Sequence, residues 1–426
     1  MTPISSITID SLPIEILGEI FIHYPECSFY KRQILLTSVS RSWRYATHSC
    51  PQLWTEIHID VDNIHPPIPH LQCCLQQSKG LPLDIRICEG SSATINLFYS
   101  EVEEYLESIG VILSQYIGRW KSLYLHKLSH DLLLTTFLIT LPFNLATQLE
   151  GLDYTLESTR HREIMFRLGQ APALRRLRCR WWGSTVDPLL LLPLRQVTHL
   201  DFSTYLDWSE LTRVVISCIS LVSLKLSSTS SNSLSSLPKS ISLPNLKGLF
   251  IKSATSAYAL FPKLQCPNLC VLTLDIPFER GWDENYRTGD RYGDLFHFLA
   301  SGDHRLQLFR LYDKSFPVEL LATFFSIHRL ADVHLLDLYY KIPKITGGDN
   351  DKAAYSRDFG KIKEAVDEVA KTSRNPNIPY LETLHAAKRG VNMRWLVKEK
   401  FLNVALTYHT LRDGDMMKLV DACNKE

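Results

Sequence analysis

One short pattern recurs along the middle of this 426-residue chain and limits what the chain can fold into. The template L-x-x-L-x-L, with apolar substitutions tolerated, appears as WKSLYL from Trp120, LEGLDY from Leu149, LRRLRC from Leu174, VTHLDF from Val197 and LVSLKL from Leu221. It continues as LKGLFI from Leu246, LCVLTL from Leu269, LQLFRL from Leu306 and LADVHL from Leu330. Successive starts are 29, 25, 23, 24, 25, 23, 37 and 24 residues apart. A repeat of this length supplies one strand and one return, and it cannot bury its apolar face alone, so neighbours must stack. Leu211, Val214, Val215 and Ile219 read as a return helix, as do Ile164, Phe166 and Leu168. Thr55–Ile59 and Leu83–Ile87 read as degenerate first strands. The pattern predicts an α/β solenoid of about nine divergent repeats over residues 120–340.

The array resembles leucine-rich repeats in period and template, although the asparagine common after the strand in regular units is largely absent. Residues 61–119, opening on the proline-rich Asn63-Ile64-His65-Pro66-Pro67, are expected to hold a linker and the degenerate first repeats. The 37-residue step contains Pro277–Gly302, whose GWDENYRTGDRYGD stretch reads as a surface loop with a binding role. After Tyr340 the character changes. Gly347-Gly348-Asp349-Asn350-Asp351 is a turn-rich break, and 28 of the 86 residues from Lys341 onward are charged. Tyr355, Phe359, Ile362, Val366 and Val369 give one helical stripe, and a second helix is expected over about Met393–Thr410. Residues 341–426 are therefore expected to form a helical C-terminal cap or a partner-binding tail.

Residues 8–60 carry the sharpest local signal. Asp10 and Ser11 can cap a helix, and Pro13 suits its first turn, where a missing N–H costs nothing. Ile16, Leu17, Ile20 and Phe21 follow at helical spacing, and Pro25 ends the helix. A second stretch carries Ile34, Leu35, Leu36 and Val39 and runs into Trp43. Pro51 stops a third, and Trp54–Ile59 alternates like a strand. Three short helices bury little area alone, so such a module is marginal unless it docks on something. SLPIEILGEIF followed by ILLTSVSRSWRYATHSCPQLW resembles the F-box motif: a Leu-Pro start, an EIL-x-x-IF helix, then Val-x-x-x-Trp-Arg and a Leu-Trp. Tyr24-Pro25 departs from that pattern by replacing the leucine that often closes the first helix. The resemblance implies binding to a Skp-type adaptor and, through it, to a cullin-RING ubiquitin ligase. Leu12, Pro13, Ile16, Leu17, Ile20, Leu36, Val39 and Trp43 match the family's apolar positions. The sequence alone does not divide those touching an adaptor from those packing the module.

Motifs for chemistry are sparse. The chain has no GxGxxG or GxxxxGK[ST] phosphate loop, no HExxH and no GxSxG elbow. His161-Arg162-Glu163 has the H-x-E spacing of zinc deaminases, but Cys266 and Cys270 are spaced C-x3-C rather than P-C-x-x-C. No cofactor, metal or catalytic residue is expected. A formal net charge of +1 gives no global field for nucleic acid or an anionic membrane. No apolar run reaches the roughly 20 residues of a membrane span. The ten cysteines are scattered, with Cys73 and Cys74 adjacent, which fits reduced thiols in the cytoplasm or nucleus.

What remains is recognition of another protein. In each repeat strand, the residue between the last two apolar template positions faces away from the core. Those positions are Tyr124, Asp153, Arg178, Asp201, Lys225, Phe250, Thr273, Arg310 and His334. Their mixed charge suits a protein surface better than a nucleic-acid groove. Arg176, Arg178 and Arg180 alternate beside Trp181 and Trp182, and Arg and Trp are favoured at interface hot spots. Tyr124, Arg176, Arg178, Arg180, Trp182, Asp201, Lys225 and Arg310 are thus the candidate target-binding residues, with the arginines suited to a carboxylate-rich or phosphorylated segment. The resulting expectation is a substrate-receptor subunit of a Skp–cullin–F-box ligase, monomeric within its complex, capturing a target protein of unknown identity. The alternative is a non-catalytic scaffold that binds the adaptor outside a ligase.

Overall fold

The computed structural model describes residues 9, 12–24, 29–61, 64–88, 99–128, 137–156, 161–181, 185–204, 208–228, 238–253, 255–276, 288–301, 306–313, 320, 335–340, 381–387 and 390–396. Two compact units divide the chain, Met1–Gln196 and Val197–Glu426.

The first unit opens with three helices, α1 (Ile14–Ile22), α2 (Phe29–Val39) and α3 (Arg41–Ser49). Pro13 precedes α1, and Ser40 caps α3 by accepting the Trp43 N–H at 3.1 Å. Leu17, Phe21, Leu36 and Ala46 are buried between them, with the Phe21 and Trp43 rings 4.7 Å apart. Gln33 Nε2 donates to the Leu53 carbonyl at 2.6 Å and Trp54 Nε1 to that of Thr47 at 2.9 Å, which fixes the turn leading into β1 (Glu56–Asp60).

Strands then alternate with returns: α4 (Ile68–Gln77), β2 (Leu83–Cys88), α5 (Tyr99–Ser114), β3 (Trp120–Leu128), β4 (Gly151–Leu156), α6 (His161–Leu168) and β5 (Arg176–Trp181). Strands β1 to β5 pair in parallel and in chain order. Segment 61–119 holds α4, β2 and α5. Arg119 holds one junction together: its guanidinium donates to the Leu81 carbonyl at 2.7 and 3.0 Å and to Ser78 Oγ at 2.6 Å, just beyond the α4 C-terminus.

The second unit contains β6 (His199–Thr204), α7 (Trp208–Ser217), β7 (Ser223–Ser228), β8 (Ile241–Ser242), β9 (Gly248–Ser253), β10 (Leu264–Gln265), β11 (Val271–Ile276), α8 (Thr288–Ser301), β12 (Leu308–Asp313) and β13 (Leu335–Tyr340). Strands β6, β7, β9, β11, β12 and β13 form a parallel sheet in that order, and β8 pairs with β10 separately. The hairpin β14 (Leu381–Ala387) and β15 (Gly390–Leu396) continues the sheet antiparallel beside β13. Met393–Leu396, expected to begin a helix, is thus strand; the expected helix over Tyr355–Val369 lies outside the described residues.

Entry into the strands is governed by one hydrogen-bonding device. The second residue of a template segment offers its carbonyl to the N–H of the next strand's first residue and to that of the residue before it. Glu150 O accepts from Arg175 and Arg176 at 2.8 Å, and Val222 O from Lys247 and Gly248 at 2.8 and 3.1 Å. Thr198, Lys247 and Cys270 repeat the pattern. Side-chain amides add to it, with Asn245 donating to the Ile219 carbonyl at 3.3 Å and Asn268 to that of Pro244 at 2.7 Å. Equivalent template positions consequently lie side by side, as in Leu224↔Leu249 and Leu249↔Leu272.

Burial alternates along these strands. In β5, Leu177, Cys179 and Trp181 are buried while Arg178 and Arg180 are exposed, and β2 and β6 show the same two-residue period. One face therefore carries the core and the other is polar, unlike the parallel sheets whose two faces are both covered. Returns bury the inner face: Ile164, Met165 and Leu168 from α6, and Leu211, Val214 and Val215 from α7. Phe166 and Ile219, expected on these inner faces, are exposed. Gly169 ends α6 where a Cβ would collide with the Leu191 carbonyl, so the next return approaches at backbone distance.

Two further expectations change. The stretch 277–302 is not simply a loop, because α8 occupies Thr288–Ser301 and buries Tyr292, Leu295, Phe298 and Leu299. Tyr292 stacks edge-on against Tyr258 at 5.0 Å, an anchor hidden in a polar sequence. The last template is displaced by three residues: Leu336, not Val333, pairs with Phe309, so Asp337 takes the position expected for His334, which itself lies outside the described residues.

Leu224 is 1% exposed, so Leu224→Asp would bury an unpaired carboxylate and cost several kcal/mol, on the order of 3–5. Lys225 faces the polar side within 3.7 Å of Asp201, so a change to aspartate there would set two carboxylates together, whereas Lys225→Gln should cost under about 1 kcal/mol. Chemical denaturation of the two variants checks this register; a larger loss for Lys225→Gln would contradict it.

Candidate interaction surfaces

The helices of residues 14–49 are apolar on two faces, and only one of them is needed for their own packing. On α1, Leu17 and Phe21 turn inward and Ile16 and Ile20 outward, each pair one helical turn apart. On α2, Leu36 is buried while Ile34, Leu35 and Val39 are exposed, Val39 by 58%. Tyr45 on α3 is also exposed. Of the thirteen large apolar side chains exposed among the described residues, eight lie between Ile9 and Tyr45. Single exposed apolar residues are ordinary, but this concentration in a small module makes it a candidate contact surface.

The candidate adaptor residues divide accordingly. Pro13, Ile16, Ile20 and Val39 are exposed and Leu12 is half-buried. Leu17 and Leu36 are buried, and Trp43 is half-buried against Phe21, so these three hold the module together. Ile34, Leu35 and Tyr45 are also exposed, although they are not among the residues matched to the motif. Their signal was the excess of apolar residues over what one 100°-wide stripe accommodates.

The second surface is the polar face of β1–β5. Register places His58, Arg86, Tyr124, Asp153 and Arg178 in one row across neighbouring strands. The row neutralises itself. Arg86 lies over the Tyr124 ring, 4.7 Å from its centroid. Asp153, nearly buried, meets Arg178 Nη1 at 3.3 Å and His126 Nε2 at 3.4 Å. Its Oδ1 is buried without a hydrogen-bond partner, so the carboxylate depends on those two neighbours. Arg176 pairs with Glu150 at 3.0 Å.

The three arginines of β5 do share the outer face, but two of them are already paired, and only Arg180 has no partner among the described residues. The patch is therefore less suited to an anionic or phosphorylated segment than its sequence indicated. Trp181 is core, donating Nε1–H to the Thr185 carbonyl at 2.9 Å, and Trp182 lies outside the described residues.

In the second unit the corresponding row is Asp201, Lys225, Phe250, Thr273, Arg310 and Asp337 by register. Lys225 Nζ reaches Asp201 at 3.7 Å, and one row along Lys252 reaches Asp275 at 3.2 Å. Opposite charges again meet across neighbouring strands. Asp201, Lys225 and Arg310 thus lie in one row of that sheet, while Tyr124, Arg176, Arg178 and Arg180 belong to the face of the first.

Among the described residues no group of three or more His, Cys, Asp or Glu side chains is placed to hold a metal ion, and no helix is long and apolar enough to cross a membrane. The eight described cysteines are all free thiols. Burial pushes Cys74, Cys218 and Cys266 up to about 12.

No family model and no curated protein matches the sequence. Among solved structures the chain is similar to a crystal structure of a protein from Bacteroides fragilis, at 15% identity over 70% of this chain and 74% of that one. The TM-score of 0.27 is too low to carry an argument about either fold or function.

Removing Arg178 should cost more than removing Arg180, although both are exposed. Arg178→Ala strips a nearly buried carboxylate of one of its two partners and should lose about 1–3 kcal/mol. Arg180→Ala should stay within about 0.5 kcal/mol. Equal denaturation midpoints for the two variants would contradict the pairing.

Proposed function

We propose that this chain is a substrate-receptor subunit of a Skp–cullin–F-box ubiquitin ligase, with no catalysis of its own. The observation that supports this reading is the outer apolar face of α1–α3. It falls on the segment whose sequence resembles the F-box, and it includes Pro13, Ile16, Ile20 and Val39 from the matched positions. A module with a buried seam and a separate exposed apolar face is what docking on an adaptor requires. In this proposal the strand-bearing repeats form a leucine-rich-repeat-like solenoid, and its polar faces hold the target. Ubiquitin transfer then follows from the proximity that the assembly enforces. Alternating, mutually paired charges favour a target surface of mixed sign, since an extra anion or cation must compete with an existing partner.

The test uses the full chain and a purified Skp-type adaptor. Ile16→Asp with Val39→Asp alters only exposed positions, so folding should hold while adaptor affinity falls at least about thirtyfold, near 2 kcal/mol. Calorimetry reads the affinity, and co-precipitation of cullin with the wild-type complex separates a ligase subunit from a scaffold. Absence of adaptor binding by the wild type, or equal binding by the variant, would overturn the proposal.

A further inference from the structure

The polar face of the first unit carries a second feature, which adaptor docking does not involve. Two cysteine–histidine contacts occur among the described residues, and their surroundings differ. Cys74 and His70 are one turn apart on α4, with Sγ and Nε2 at 3.5 Å, but Cys74 is buried and its thiol is held protonated. Cys88 and His58 lie on neighbouring strands, with Sγ and Nε2 at 2.7 Å, and Cys88 is only half-buried.

Register explains how residues 30 positions apart meet. Strands β1 and β2 pair Asp60 with Cys88 and His58 with Arg86, so His58 lies diagonally opposite Cys88. Both strands alternate between buried and half-buried, which sets His58, Asp60, Arg86 and Cys88 on the polar face. His126 of β3 is the neighbour of Cys88 on its other side. The face around the sulfur therefore presents one guanidinium, two imidazoles and one carboxylate.

His58 is suited to take a proton. Burial lowers its pKa, Arg86 adds to that lowering and Asp60 opposes it, so the ring is neutral at pH 7. In the tautomer of His58 that carries its proton on Nδ1, Nε2 accepts from the Cys88 thiol and is the basic atom, and the Ile59 carbonyl at 3.7 Å is the thiol's other acceptor. Arg86, two residues before Cys88 on the same face, favours negative charge developing on sulfur, and Asp60 disfavours it.

We propose that Cys88 is a reactive thiol with His58 as its general base, forming a modification site for soft electrophiles, peroxides among them. With a hydroperoxide, sulfur attacks one peroxide oxygen, so an S–O bond forms as the O–O bond breaks. The thiol proton passes through His58 Nε2 to the departing oxygen. Sulfur gives up two electrons, and the products are Cys88 sulfenic acid and water or an alcohol. With iodoacetamide, an S–C bond forms, iodide leaves with the C–I electron pair, and His58 passes the proton to water.

The test is timed labelling of the full chain with iodoacetamide at pH 7, each cysteine followed by mass spectrometry. Cys88 should react about tenfold faster in the folded protein than in the same protein unfolded in guanidinium, reversing the usual protection by structure. His58→Gln should bring the folded rate down to the unfolded rate or below, with circular dichroism confirming the fold. A folded rate in the wild type no higher than the unfolded rate overturns the proposal, whatever the variant does. A fast rate that survives His58→Gln overturns the role of His58.

Discussion

A single carbonyl at the entries of β5, β7, β9, β11 and β12, shared by the N–H of the strand's first residue and that of the residue before it, fixes the in-phase pairing on which the rest of the structure depends. Pairing in phase means that each template leucine lies beside its counterpart, and each outward residue beside an outward residue. A slip of one residue would carry every side chain to the wrong face. The register decides chemistry as well as packing. It brings Arg178 to Asp153, Lys225 to Asp201 and His58 to Cys88, pairs separated by 25, 24 and 30 residues.

The N-terminal helices follow a different logic. Their seam is filled by Leu17, Phe21, Leu36 and Ala46, and the apolar residues left over are not accommodated by their own fold. A module this small gains little from its seam alone, so the surplus points to stabilisation by a partner. In the function proposed here, that surplus and the repeat strands divide the work: one docks, the other presents.

Much of the strand pattern was legible because the template states which residues face inward. Trp120 through Ile276 carry it plainly. It misled at Leu330, where LADVHL and VHLLDL both fit and only pairing with β12 selects the second. The helix at Thr288–Ser301 was hidden by its polar lead-in GWDENYRTGD, its apolar side chains emerging only from Tyr292. Pairing of the arginines with Glu150 and Asp153 was not legible at all, since each partner sits one repeat earlier. At the N-terminus the right residue types were visible, but two apolar stripes on one helix do not announce which is buried. Only packing assigned Leu17 to the core and Ile16 to the surface.

Side-chain oxidative footprinting of the full chain, with and without a Skp-type adaptor, tests the central claim most directly. The account predicts that Ile16, Ile20, Leu35, Val39 and Tyr45 lose reactivity on adding the adaptor, while Leu17 and Leu36 stay protected throughout and Tyr124 does not change. Unchanged reactivity at the five exposed positions, or protection centred on Tyr124 instead, would contradict it.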